Sequence, residues 1–135
     1  MKKSIAIKML IVSILAILLI GANGYTQTSA KAMSGIEWAD KTYDFGKIPQ
    51  GKSVVAEFQF KNPSMVPLII LSVKPSCGCT VADYTKEPIQ PQKTGTIKIT
   101  FDAKDSGYFQ KSVTVETNAG EGNETLIIKG EVIPR

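Results

Sequence analysis

Apolar and polar residues alternate along most of the chain with a period of two. Over residues 53–61, Val54, Ala56, Phe58 and Phe60 fall on one face while Ser53, Glu57, Gln59 and Lys61 fall on the other, which predicts a half-buried strand. Residues 96–102 repeat the pattern with Ile97, Ile99 and Phe101 inward and Lys98 and Thr100 outward, and Val113 and Val115 do the same within 109–117. Residues 67–73 and 124–132 instead carry continuous apolar runs, Leu68-Ile69-Ile70-Leu71 and Leu126-Ile127-Ile128. Such runs predict strands covered on both faces or lying at the centre of a sheet. Shorter runs at 35–38, 42–45 and 79–84 complete the set. Turn-forming clusters separate them at 46–51, 62–64, 75–78, 88–95, 105–107 and 120–123, and no segment repeats at the 3.6-residue period of a helix.

Seven to eight short strands at this spacing predict an all-β fold, an immunoglobulin-like antiparallel β-sandwich formed by residues 33–135 as one domain. Trp38, Phe45, Phe58, Phe60 and Phe101 are its expected aromatic core. Residues 1–32 read differently. Lys2, Lys3 and Lys8 precede an apolar stretch, Met9 to Ala22, interrupted only by Ser13. Its 14 residues match the hydrophobic region of a signal peptide and fall short of the roughly 20 needed to span a bilayer. Ala30-Lys31-Ala32 offers a cleavage site that leaves Met33 first, with Ala22 and Gly24 as other cleavage positions and an uncleaved anchor as the alternative. The expectation is export to the periplasm or beyond the cell, with no stable membrane span after cleavage. No cysteine lies nearby to carry a lipid.

Charge changes the picture once its position is considered. The 135 residues contain 16 Lys and Arg against 12 Asp and Glu, a net charge of +4. Four of those cations, Lys2, Lys3, Lys8 and Lys31, lie in the first 32 residues with no acid, so residues 33–135 are neutral. A neutral domain lacks the electrostatic footprint of nucleic-acid binding. The chain has no histidine, which removes the commonest acid, base and metal ligand near neutral pH. The acids are scattered, without the spacing of a calcium loop. The expectation is a protein that is not an enzyme and carries no cofactor.

One constellation carries candidate chemistry: Ser76-Cys77-Gly78-Cys79-Thr80 holds both cysteines of the chain, one residue apart. On an extended strand their side chains lie about 6.6 Å apart, too far for the roughly 3.8 Å Cβ separation of a disulfide. A bond therefore requires a turn, and Gly78 supplies dihedrals closed to other residues. Four readings stand together. The thiols are small apolar packing groups; they form a small, easily reduced disulfide that is labile or redox-active; they bind Cu(I) or a shared zinc as soft ligands, with Met65 as a third ligand for copper; or they exchange disulfides with a partner. The nearest cation in sequence is Lys74, which gives no argument for a depressed thiol pKa.

Longer stretches carry a resemblance. Tyr43-Asp44-Phe45-Gly46-Lys47-Ile48-Pro49-Gln50-Gly51, Phe58-Gln59-Phe60-Lys61-Asn62, Ser76-Cys77-Gly78-Cys79-Thr80-Val81 and Gly95-Thr96-Ile97-Lys98-Ile99-Thr100-Phe101 follow in an order that resembles the bacterial family known as domain of unknown function 1573. The resemblance covers nearly all of residues 36–133. That family is similar to the immunoglobulin-like domains of ciliary and centrosomal proteins and of the major sperm protein, and is frequent among exported proteins of Bacteroidetes. It implies the sandwich and no activity. The expected role is an accessory or interaction module that docks a protein partner through edge strands or loops. The loop at 85–95, with Pro88 and Pro91, is the candidate contact surface. The alternative is a thiol-based redox or copper-handling role through Cys77 and Cys79. Assembly state stays open, since an unpaired edge allows dimerisation and Lys52, Lys98 and Lys129 are charges that could blunt one.

Overall fold

A computed structural model describes residues 35–120 and 123–135. The signal segment at 1–32, its cleavage sites and the tip of the 120–123 turn lie outside the described residues. Eight strands form: β1 (Glu37–Trp38), β2 (Thr42–Pro49), β3 (Val54–Lys61), β4 (Ile70–Pro75), β5 (Thr80–Tyr84), β6 (Thr94–Phe101), β7 (Gly107–Thr117) and β8 (Glu124–Ile133). They make two four-stranded sheets in the orders β1-β3-β6-β5 and β2-β8-β7-β4, the immunoglobulin-like division of strands between sheets.

The alternation in sequence becomes the inner faces. Ala56, Phe58 and Phe60 of β3 and Ile97, Ile99 and Phe101 of β6 line one wall; Val113 and Val115 of β7 and Leu126, Ile128 and Val132 of β8 line the other, all buried. Among the expected aromatic residues Phe58, Phe60 and Phe101 are buried, while Trp38 and Phe45 are half-buried and pack against the core from its margin. Phe101 stacks on Phe109 at 4.1 Å between ring centroids. Gly95 faces Phe60 across β3 and β6, and the Phe60 ring occupies the space a Cβ on Gly95 would need.

Several expectations are revised. The run Leu68–Leu71 is neither central nor covered on both faces. The strand begins at Ile70 and is the edge of its sheet, with Leu68 and Ile70 buried and Ile69 and Leu71 at 38% and 55% exposure. A bulge between Ile70 and Ser72 leaves Leu71 without a ladder partner. The run in β8 does lie inside its sheet, between β2 and β7.

Gly46 does not end its strand. β2 continues to Pro49 through a register shift between Asp44 and Lys47, where Gly46 takes φ +63° and donates its N–H to Asp44 Oδ1.

Every strand pair is antiparallel except β2 with β8, which is parallel. β2 follows β1 after only residues 39–41, with Ala39 N–H still bonded to Gln59 O in the first sheet and Ile127 N–H already bonded to Lys41 O in the second. Lys98 and Lys129 stand on the inner strands β6 and β8, not on edges.

Candidate functional site

Cys77 and Cys79 sit in the connection between β4 and β5, which passes from one sheet to the other. A disulfide joins them, with Cα atoms 5.3 Å apart. The required turn falls at Gly78 and Cys79, yet Gly78 is not among the glycines with positive φ, so the turn is made without the special freedom of glycine. Backbone bonds fix the connection on both sides: Ser76 N–H to Ser112 O at 2.9 Å, Thr80 N–H to Cys77 O at 3.3 Å and Asp102 N–H to Cys79 O at 3.1 Å. Cys79 packs against the apolar core, Cys77 is half-buried, and Gly78 is exposed with nothing within 4 Å of where its Cβ would be.

This disulfide holds little together. It closes a ring of three residues, and the chain-entropy treatment assigns such a ring about 1.6 kcal/mol, against about 3 kcal/mol for a 15-residue loop. Its neighbour Thr80 is 3% exposed, and the Thr80 hydroxyl lies 3.4 Å from Cys77 Sγ and 3.8 Å from Cys79 Sγ. Residue-type reasoning missed Thr80. The signal was the inward phase of β5, which puts a polar residue where Ala82 and Tyr84 also turn inward. Nearby, the Lys104 side chain, 3.1 Å from Asp102 Oδ2, hydrogen-bonds the Asp102 carboxyl and holds it below the usual carboxylate range.

Met65 is not part of this site. It lies in the connection between β3 and β4, at the opposite end of the sandwich and 85% exposed. The length of β4 separates it from the cysteines, about 17 Å or more at the rise of a strand. With both sulfurs in the disulfide, no thiolate is present for Cu(I) or zinc. Among the described residues no three His, Cys, Asp or Glu side chains converge on a metal position. A concavity of about 630 Å³ is an open hollow over the Gly46 bulge. Its charges, Asp44, Lys47, Lys129 and Glu131, balance.

The loop at 85–95 is pinned at Ile89 and Gln92, while Lys86, Glu87, Pro88 and Gln90 are exposed. Ile89 is 4% exposed and pairs with Leu68, Gln92 N–H bonds Asn62 O and Gln92 Nε2 bonds Pro63 O. Asn62, fully buried, ties the two loops together: its Nδ2 donates to Val66 O and Ile89 O, and its Oδ1 accepts from Ser64 N–H and Oγ. The loop is a plug for the end of the sandwich.

Strand edges differ in what they expose. β2 is broken by its bulge and ends in Pro49. β4 carries the Leu71 bulge and Pro75, whose missing N–H falls at a position facing out of the ladder, because neighbouring Ser76 bonds inward to Ser112. On β5 the Asp83 carboxylate caps Tyr84 N–H. These are the devices by which natural edges avoid pairing. β3 has none of them over its first half. The bond between Asn62 N–H and Lys93 O sets the phase of its ladder with β6, so Val55, Glu57, Gln59 and Lys61 turn their backbone groups away from β6. β1 covers only the end of that edge, pairing with Phe60 and Lys61, and Ala39 N–H reaches Gln59 O. Among the described residues nothing pairs with the outward N–H and C=O of Val55 and Glu57.

Residues 36–132 match the family described as protein of unknown function (DUF1573). No curated protein matches the sequence. Solved structures share the fold at low identity. A protein of unknown function from Porphyromonas gingivalis is 18% identical with a TM-score of 0.64, over 72% of this chain and 46% of that one, so the chain spans about half of it. The ASH/PapD-like domain 7 of human CEP192 is 13% identical with a TM-score of 0.60, over 76% of this chain and 87% of that domain. The VesB protease of Vibrio cholerae is 16% identical with a TM-score of 0.59, over 72% of this chain and 32% of the protease.

Proposed function

The chain belongs to the DUF1573 family, and from that starting point we propose that it is an exported, non-enzymatic interaction module that receives an extended segment of a protein partner along the open edge of β3. The observation that carries this reading is the contrast between edges: β2 and β4 are interrupted by bulges and prolines and β5 has its Tyr84 N–H capped, while among the described residues nothing pairs with the outward backbone groups of Val55 and Glu57 on a regular strand. Strand addition uses such groups for affinity and neighbouring side chains for selectivity. The flank beside them is open, because β2 has left for the other sheet. A hollow of about 250 Å³, lined by Thr42, Tyr43, Glu57, Phe58 and Gln59 among others, lies there. The leader-like residues 1–32 support export, and the lack of histidine and of any catalytic set supports a non-enzymatic role. The same fold makes up under half of the longer Porphyromonas and Vibrio chains, which suits a module.

Proline at position 55 tests it. The Val55 N–H faces out of the sheet, so Val55→Pro sacrifices no bond to β6 while removing a donor an added strand needs. A photo-crosslinking residue at position 57, in the protein's own host, should give a discrete adduct in the exported fraction, absent when the same group stands at Gln110 and lost with Val55→Pro. No adduct from position 57, or one that survives Val55→Pro, sinks the reading; an adduct of twice the chain mass turns it into self-association.

A second reading, a thiol-based role for Cys77 and Cys79, is favoured by one observation: their bond lies in a half-exposed connection and encloses only three residues.

A further inference from the structure

We propose that the Cys77–Cys79 disulfide is an exchange site for the paired thiols of a second protein, and that the Thr80 hydroxyl is the positioning group for the thiolate released. The inference rests on the second reading above and deepens it by naming the substrate class and the residue that favours the reaction. Thr80 is buried, and among the described residues its hydroxyl has only the two sulfurs as partners, at 3.4 and 3.8 Å. A sulfur in a disulfide is a weak acceptor, so this is a poor use of a buried O–H in the oxidised protein. A thiolate is a strong, charged acceptor, and a hydrogen bond to the charged form favours it. The contact therefore gains strength when the bond opens, which a purely structural disulfide does not need.

The geometry also assigns the order of events. Cys79 packs against the core and Cys77 does not, and Gly78 leaves space over the ring. A thiolate of the substrate attacks Cys77 Sγ; the Cys77–Cys79 bond breaks, and Cys79 leaves with the electron pair as a thiolate that accepts the Thr80 O–H. The second substrate thiolate then attacks its own sulfur in the mixed disulfide, and Cys77 leaves as a thiolate within reach of the same hydroxyl. Two electrons pass from the substrate dithiol to the cysteine pair. The two protons lost by the substrate thiols are balanced by protonation of Cys77 and Cys79.

The test equilibrates the oxidised full chain with glutathione buffers of graded ratio and with a peptide bearing two thiols, followed by acid quench, alkylation and intact mass. The wild-type pair should follow the buffer and oxidise the peptide. Thr80→Val should slow its reduction about tenfold and raise the pH of half-maximal alkylation by about one unit, the scale of a hydrogen bond to a charged group; Thr80→Ser should restore both. A wild-type pair that stays oxidised at every ratio overturns the second reading itself. A pair that exchanges with the same rate and pH profile in Thr80→Val leaves that reading standing and removes Thr80 from it. If Thr80→Val does not fold, the reduced wild type decides: a half-maximal pH at or above the ordinary thiol value of about 8.5 overturns the role of Thr80.

Discussion

Replacing Asn62 by alanine should cost the domain about 3 kcal/mol. The side chain is fully buried and makes four hydrogen bonds, two donated to Val66 O and Ile89 O and two accepted from Ser64. At about 1 kcal/mol each the gross loss is about 4 kcal/mol. Relief comes from what remains: Val66 O keeps the Ser64 hydroxyl, Ile89 O keeps Leu68 N–H, and only the Ser64 N–H loses its sole partner. For a domain of about 100 residues this corresponds to a fall of about 12 °C or more in Tm. Urea unfolding followed by circular dichroism, with an unchanged m-value, is the assay. Asn62→Asp sharpens it. The carboxylate would keep the acceptor side and face two carbonyls on the donor side, so burial and repulsion raise its pKa above that in the unfolded chain. Its stability should therefore be highest in acid and fall as pH rises through the folded pKa, while Asn62→Ala shows no such trend. A loss below about 1 kcal/mol for Asn62→Ala, or an Asn62→Asp variant as stable as wild type at neutral pH, would refute the view that this side chain pins the two loops.

Gly95→Ala should destabilise by about 1–3 kcal/mol through overpacking against Phe60 and Ile89, the latter 3.0 Å from the added Cβ; the double variant with Phe60→Leu should recover part of that loss in a thermal melt, and strict additivity would count against the contact. Asp102, held below its ordinary pKa by Lys104, contributes stability above the unfolded carboxylate pKa and loses it as pH falls through the lowered folded value. Asp102→Asn should therefore differ from wild type at neutral pH and converge with it in strong acid; a difference that grows towards acid would contradict the assignment.

The inner faces were legible because period two is a local property. Phe58 and Ile99 announce their orientation through their immediate neighbours, and burial follows. The run Leu68–Leu71 could not do so, since four apolar residues in succession have no phase and the bulge at Leu71 depends on β7, more than 40 residues away. Gly46 was ambiguous for a similar reason: the same positive φ serves a turn or a bulge, and the presence of β8 alongside decides for the bulge. Lys98 and Lys129 show that charge on an outer face does not reveal whether a strand is an edge. The cysteine pair was visible from spacing alone, whereas Thr80 needed the three-dimensional fact that, among the described residues, its hydroxyl meets the two sulfurs. Asn62 read as a turn residue, and its larger role appeared only when the loop carrying Ile89 folded back over it.

The parallel pairing of β2 with β8 has a consequence for the timing of folding. Among the described residues β2 has β8 as its sole sheet neighbour, and the ladder runs from Thr42 with Ile127 to Pro49 with Ile133, joining segments about 85 residues apart. During synthesis the first long strand therefore waits, unsatisfied, for β8 about 85 residues further on, and the sandwich cannot close from its N-terminal end onward. Closure over so long a loop is slow relative to local structure and leaves a half-built intermediate with open edges. A chain of this design keeps β2 without its ladder until β8 has been made.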